Sequence, residues 1–285
     1  MAEYFALQAA LCFAVSHVLI RRGLVTSNAL AGSFFSLTLS AAVMWILAPF
    51  FIPFASFWTP ALGYFIVAGV FAPALGRTLN FVGIERIGVA RSVPVINISP
   101  VVASILAVFV LREVWTLQNM LGTGFVVLGV IVLSSAQPAK GLWRKIDIIY
   151  PLLGAIVFGI SINLRKLGLM VDNVPFIAAA VTSTTGFLFA LGMLRTTRGR
   201  QVFSMSRQSF GWLFAAGIVN TGAVLSNFYA LSLGKVVIVE PLVSTNPVLS
   251  ILLSAIFLKD LETVTSRVIA GALCTVVGTI LVVTS

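Results

Sequence analysis

The sequence predicts an all-α polytopic membrane protein, ten transmembrane helices arranged as two inverted five-helix repeats, and three observations predict it. Of its 285 residues, 59% are hydrophobic and 9% charged, with a mean hydropathy of +1.10, whereas a soluble domain carries roughly 25% charged residues. Ten apolar runs are long enough to cross a bilayer core, which takes about 20 residues. The third observation is a duplication. The stretch from Leu79-Asn80-Phe81 through Pro94 and Pro100 to Leu111-Arg112-Glu113 returns as Ser226-Asn227-Phe228, Pro241, Pro247 and Leu258-Lys259-Asp260, displaced by 147 positions. Upstream, Ser16-His17-Val18-Leu19 and Gly23-Leu24 return as Ser161-Ile162-Asn163-Leu164 and Gly168-Leu169, displaced by 145. Half the chain is a diverged copy of the other half.

Taken in order, the apolar runs of the first half lie at roughly 4–20, 30–51, 61–84, 89–111 and 117–135. Those of the second lie at roughly 148–164, 174–194, 210–233, 236–258 and 264–283. The expected division is a first repeat at 1–135, a linker at 136–147 containing Pro138 and Gly141, and a second repeat at 148–285, together forming one transport domain. Glu3 precedes the first run and Arg21 and Arg22 follow it, the reverse of a signal peptide's charge order, so the run counts as a helix. Cys12 and Cys274 both fall inside apolar runs, which argues against a structural disulfide.

An odd number of helices per repeat makes the second copy enter the membrane from the opposite face. Inverted repeats suit alternating access, because exchanging the conformations of the halves opens a central site to either side. The formal charge of +10 would suggest nucleic acid in a soluble chain, but here the basic residues occupy short gaps between apolar runs and set orientation. Thirteen Lys and Arg lie in or beside loops after odd-numbered helices, against four (Arg112, Arg165, Lys166 and Lys235) after even-numbered ones, with Arg77 left inside the third. The positive-inside rule places the odd loops in the cytoplasm and both termini outside. The expected location is the cell (inner) membrane.

The stretch Gly76-Arg77-Thr78-Leu79-Asn80-Phe81 leads to Arg86-Ile87-Gly88-Val89-Ala90-Arg91, and the prolines of helices 4 and 9 are followed by Leu-Arg-Glu and Leu-Lys-Asp. With the two five-helix repeats, these features resemble the ten-helix EamA branch of the drug/metabolite transporter superfamily over essentially the whole chain. The resemblance implies a carrier of small metabolites, amino acids or drugs, usually outward. It also implies termini in the cytoplasm, opposite to the charge count. The related four-helix multidrug carriers couple cation export to protons through a carboxylate in their first helix, where this chain has Phe13 and Phe158. Proton-coupled export of lipophilic cations is therefore disfavoured.

Pro94, Pro100, Pro241 and Pro247 each remove a backbone donor from an apolar helix. Such breaks survive at membrane depth where they face protein or a water-filled cavity. Beside them stand Asn97, Ser99, Ser244, Thr245 and Asn246. Gly69, Pro73, Gly76, Asn80 and Gly83 recur at helical spacing, as do Glu240, Ser244, Pro247, Ile251 and Ser254, so each set forms one inward stripe. Gly122 and Gly129, with Gly271 and Gly278, read as close helix packing.

Asn80 and Asn227 occur in both copies and suit a role that both halves share. Polar residues in one copy only are the candidates for choosing substrate: Arg77 opposes Val224, Arg91 opposes Ile238, Glu240 opposes Val93 and His17 opposes Ile162. A charge at Arg77 needs a partner at that depth. The candidate pathway set is completed by Asn97, Asn163, Asn220, Ser244 and Asn246. Together these residues predict a secondary transporter, an exporter of small polar metabolites such as amino acids or organic acids. An intramembrane enzyme and a passive channel are the alternatives. The enzyme lacks His-Glu-x-x-His, Gly-x-Ser-x-Gly and an acid/base pair. No catalytic residue, metal or cofactor is expected. The expected partners are a small-molecule substrate and the lipid bilayer, with no nucleic acid. Coupling to protons or a counter-substrate, and a monomer or a homodimer, stay open.

Overall fold

The computed structural model describes residues 1–51, 58–99, 101–103, 105–106, 116–135, 144–193, 205–233, 242–243, 245–261 and 265–284. Among them are ten α-helices and no strand: α1 (Ala2–Gly23), α2 (Ala29–Phe51), α3 (Leu62–Ile87), α4 (Val89–Ile96), α5 (Leu117–Ser135), α6 (Ile149–Val171), α7 (Pro175–Met193), α8 (Arg207–Leu233), α9 (Asn246–Phe257) and α10 (Ser266–Val283). Six of these spans are long and apolar enough to cross a membrane, and four described helical segments are shorter but apolar. The chain is an integral membrane protein. Most of the linker at 136–147 lies outside the described residues.

Local chemistry sets the helix ends. α1 carries Glu3 in its first turn and Arg21 and Arg22 in its last, matching the helix dipole at both ends. The Asn28 side chain accepts the Ala31 N–H at 2.9 Å, closing one open donor of α2. Gly88 separates α3 from α4 with φ 82° and ψ 167°, a conformation that only glycine adopts without strain. A 3-10 turn at Lys145–Ile148 leads into α6, where the Asp147 carboxylate accepts the Arg144 N–H at 2.9 Å. α6 runs to Val171, beyond the boundary expected at 164, because Arg165 and Lys166 continue the helix. Those two charges therefore leave the even-loop set and lie within the span.

Inside α3, Val70–Gly76 winds as a π-helix around Pro73, a turn type common at functional sites. Its missing N–H loosens the ladder at that level. α4 stops at Ile96, and a turn at Asn97 and Ile98 interrupts it. α9 starts anew at Asn246-Pro247. Both expected helix breaks are present at their described prolines, Pro94 and Pro247, while Pro100 and Pro241 lie outside the described residues.

Packing follows a repeated scheme. α1 packs on α8 while α6 packs on α3; α2 packs on α7, α4 on α9, and α5 on α10. The Ser16 hydroxyl donates to the Ala216 carbonyl at 3.1 Å, and its counterpart Ser161 donates to the Ala68 carbonyl at 2.9 Å. Between α5 and α10 the backbones nearly touch: a methyl at Gly129 would stand 2.7 Å from the Gly271 carbonyl oxygen, and one at Gly278 2.5 Å from that of Gly122. The expected small-residue contact is there, in both directions. The predicted α3 stripe is also turned inward, with Gly69 against α7 and Gly83 against Ser92 and Pro151.

Candidate functional site

At the centre of the helices is a cavity of about 180 Å³. The broken and loosened helices supply much of its wall: Pro73, Arg77, Asn80 and Phe81 from α3, Ile96, Asn97 and Ser99 at the α4 break, and Val243 and Asn246 at the α9 break. α1 adds Phe13, His17 and Ile20; α6 adds Phe158, Ile162 and Arg165; α7 adds Thr182 and Ser183; α8 adds Asn220, Val224 and Asn227.

These positions correspond across the duplication. At a displacement of 145, Phe13 faces the cavity with Phe158, His17 with Ile162 and Ile20 with Arg165. At 147, Pro73 does so with Asn220, Arg77 with Val224, Asn80 with Asn227, Ile96 with Val243 and Ser99 with Asn246. The wall is thus built from the same places in both halves, with different residues at several of them.

Seven of the residues expected in the pathway meet here: His17, Arg77, Asn80, Asn97, Asn220, Asn227 and Asn246. Two do not line it. Arg91 is 5% exposed in the first turn of α4, outside the cavity wall. Asn163 donates to the Ala103 carbonyl at 3.0 Å and to Gly159 in its own helix at 3.1 Å, tying α6 to the far part of α4. Glu240 and Ser244 lie outside the described residues.

Arg165 is the cavity residue that sequence reasoning missed. Standing next to Lys166 at the end of an apolar run, it reads as a loop charge. Its repeat counterpart, Ile20, lies within the first apolar run, and that correspondence was the available signal. Its guanidinium stands over the Phe228 ring, 5.5 Å from the centroid, in the range of a cation–π contact.

The polar wall is specific in its bonding. Arg77 Nη1 donates to Ser36 Oγ at 3.2 Å and Ser40 Oγ at 3.3 Å. Thr221 spends its hydroxyl proton on the Gly217 carbonyl at 2.8 Å, so at 3.0 Å it accepts from Ser40, whose lone pairs are left to face Arg77. The chain of donors runs from α3 through α2 to α8 and holds a cation at its head. Asn246 Nδ2 donates to Asn97 Oδ1 at 3.1 Å, joining the two helix breaks. His17 Nδ1 lies 3.3 Å from Ser250 Oγ, joining α1 to α9. By contrast Asn80 Oδ1, Asn220 Nδ2 and Asn246 Oδ1 are buried with no hydrogen-bond partner among the described residues. An unmade bond of this kind costs about 1–3 kcal/mol, so the cavity holds polar ends suited to a polar occupant.

Toward the odd-loop face the cavity is closed. Val18, Ile20, Leu24, Phe81, Ile84, Val89, Val93 and Leu258 pack as one cluster. Beyond it Arg21 donates to the Ile84 and Glu85 carbonyls at 3.2 and 2.9 Å. Arg22 grips Asp260 at 2.6 and 2.9 Å and the Phe257 carbonyl at 2.6 Å. Among the described residues no group of three His, Cys, Asp or Glu could hold a metal ion.

No curated relative matches the sequence. One solved crystal structure, described only as that of a protein, aligns over 98% of this chain and 95% of its own length, with a TM-score of 0.66 and 15% identity, a likeness of fold. The EamA-like transporter family matches residues 1–135 and again 145–284. Because those two matches take in both halves that build the cavity, the chain belongs to the EamA-like transporter family.

Proposed function

We propose that the protein is a secondary carrier, an exporter of small polar metabolites such as amino acids or organic acids, working by alternating access between two inverted repeats. The observation that carries this reading is the cavity wall, drawn from corresponding positions of both halves at the level of the helix breaks. Exchanging the conformations of the halves would carry that wall from one face to the other while the site stays central. The paired contacts support such an exchange, since Ser16 to Ala216 and Ser161 to Ala68 already make one bond in two settings. The closed odd-loop face would then be cytoplasmic in a cell (inner) membrane, as the basic residues suggest. Membership of a transporter family, and the lack of any acid/base pair in the described wall, weigh against an enzyme.

Sidedness of the cavity tests this reading. In a background with Cys12→Ala and Cys274→Ala, Ser183→Cys in oriented proteoliposomes is expected to react with an impermeant thiol reagent added from either side in separate runs. Reaction from one side only would contradict alternating access.

A further inference from the structure

We infer that the cavity takes a small organic anion, its negative group set between the Arg77 and Arg165 guanidiniums and its other polar groups met by the amide ends of Asn80 and Asn220. The inference rests on the carrier reading and names the substrate class of the same site. Both guanidiniums reach one cavity, near enough for their like charges to interact. Among the described residues of the wall there is no Asp or Glu. Arg77 bonds instead to two neutral serine hydroxyls, at 3.2 and 3.3 Å, which orient the fork without cancelling its charge. Two like charges at membrane depth are costly alone, and an anion between them turns that cost into attraction. The planar forks match a carboxylate or another planar or tetrahedral oxyanion.

The rest of the wall indicates a carbon skeleton. Phe13 and Phe158 present apolar rings from corresponding positions of α1 and α6, where a bare inorganic anion would gain nothing. Asn80 Oδ1 and Asn220 Nδ2, buried and without a partner among the described residues, offer one acceptor and one donor to further polar groups. The charges also break the internal symmetry in a useful way. Arg77 replaces Val224 and Arg165 replaces Ile20 at corresponding places, so each half contributes one cation to one site.

The test reads the cavity's charge directly. Val224→Cys, in the cysteine-free background, is treated with a sulfonatoethyl and with a trimethylammonioethyl methanethiosulfonate, and the anion-to-cation rate ratio is divided by the same ratio for free 2-mercaptoethanol. The normalised ratio is expected to be about tenfold or more, as clefts lined by one sign concentrate counter-ions. It should fall severalfold with Arg77→Gln and with Arg165→Gln and be retained by Arg77→Lys. Each ratio is internal to one variant, so a change in overall accessibility cancels, and a monodisperse peak on size exclusion confirms folding. A normalised ratio of one or less, or a ratio untouched by both glutamine changes, would overturn the anion assignment. If Ser183→Cys still labels from both sides, carriage itself would stand. Reaction with neither reagent at Val224→Cys would overturn the site as a polar pathway, and the carrier reading with it.

Discussion

Single side chains divide into those whose surroundings reveal them in sequence and those whose surroundings disguise them. Arg77 is visible because an apolar run continues on both sides of it, so its charge has to lie within the helix. Arg165 is disguised by Lys166 and by the approach of Asp172 and Asn173, which together imitate a loop. The asparagines at the proline breaks were legible because a polar amide beside a broken ladder is tolerated only where it faces protein or water. The bonds they make, such as Asn246 to Asn97, depend on tertiary approach and could not be read. Replacing Arg77 with Gln removes one charge-assisted contact, of the kind worth about 1.5–3 kcal/mol. Apparent affinity for carboxylate-bearing substrates should fall about tenfold or more while neutral substrates are spared. Uptake assays with a carboxylate and its amide check this, and equal loss for both would reduce Arg77 to a packing residue. Asn80→Ala, which deletes a buried group that every occupant meets, should instead lower turnover for all substrates alike.

At the scale of elements, glycine spacing and proline position were informative, and backbone winding was not. Gly122, Gly129, Gly271 and Gly278 gave the α5–α10 contact because nothing larger lets two backbones approach so closely. Gly129→Leu should lower the melting midpoint of the detergent-solubilised protein, through overpacking of about 1–3 kcal/mol; an unchanged midpoint would mean the helices separate freely there. The π-turn around Pro73 escaped notice because the proline fitted the stripe of small residues equally well in a regular helix. At the closed face, the hydrogen bond from Arg22 holds the Asp260 carboxyl below the usual carboxylate range. Its pKa is depressed in the closed arrangement, so its contribution is present above the ordinary carboxylate pKa and is lost as pH falls through the depressed one. Asp260→Asn should accordingly raise labelling of Ser183→Cys from the odd-loop side at neutral pH. The pair is exposed, and exposed pairs contribute modestly, so a partial increase is expected, and no increase would assign closure to the apolar cluster alone.

For the whole molecule, duplication and composition gave helix number and class, since a bilayer leaves few ways to satisfy a backbone. The meeting of both halves at one cavity needed the fold, because sequence correspondence does not say which helices cross. Orientation has its own check: Ser204→Cys, in the basic loop after the seventh helix and outside the described residues, should resist an impermeant thiol reagent in intact cells, and ready labelling would reverse the assignment. The most direct measurement of carriage is counterflow. Purified protein in liposomes preloaded with a high concentration of one small carboxylate from a panel should transiently accumulate the labelled compound above its equilibrium level, with a rate that saturates. Entry that never exceeds equilibrium and rises linearly with concentration would identify a channel, and chemical conversion of the compound an enzyme; either would contradict a carrier.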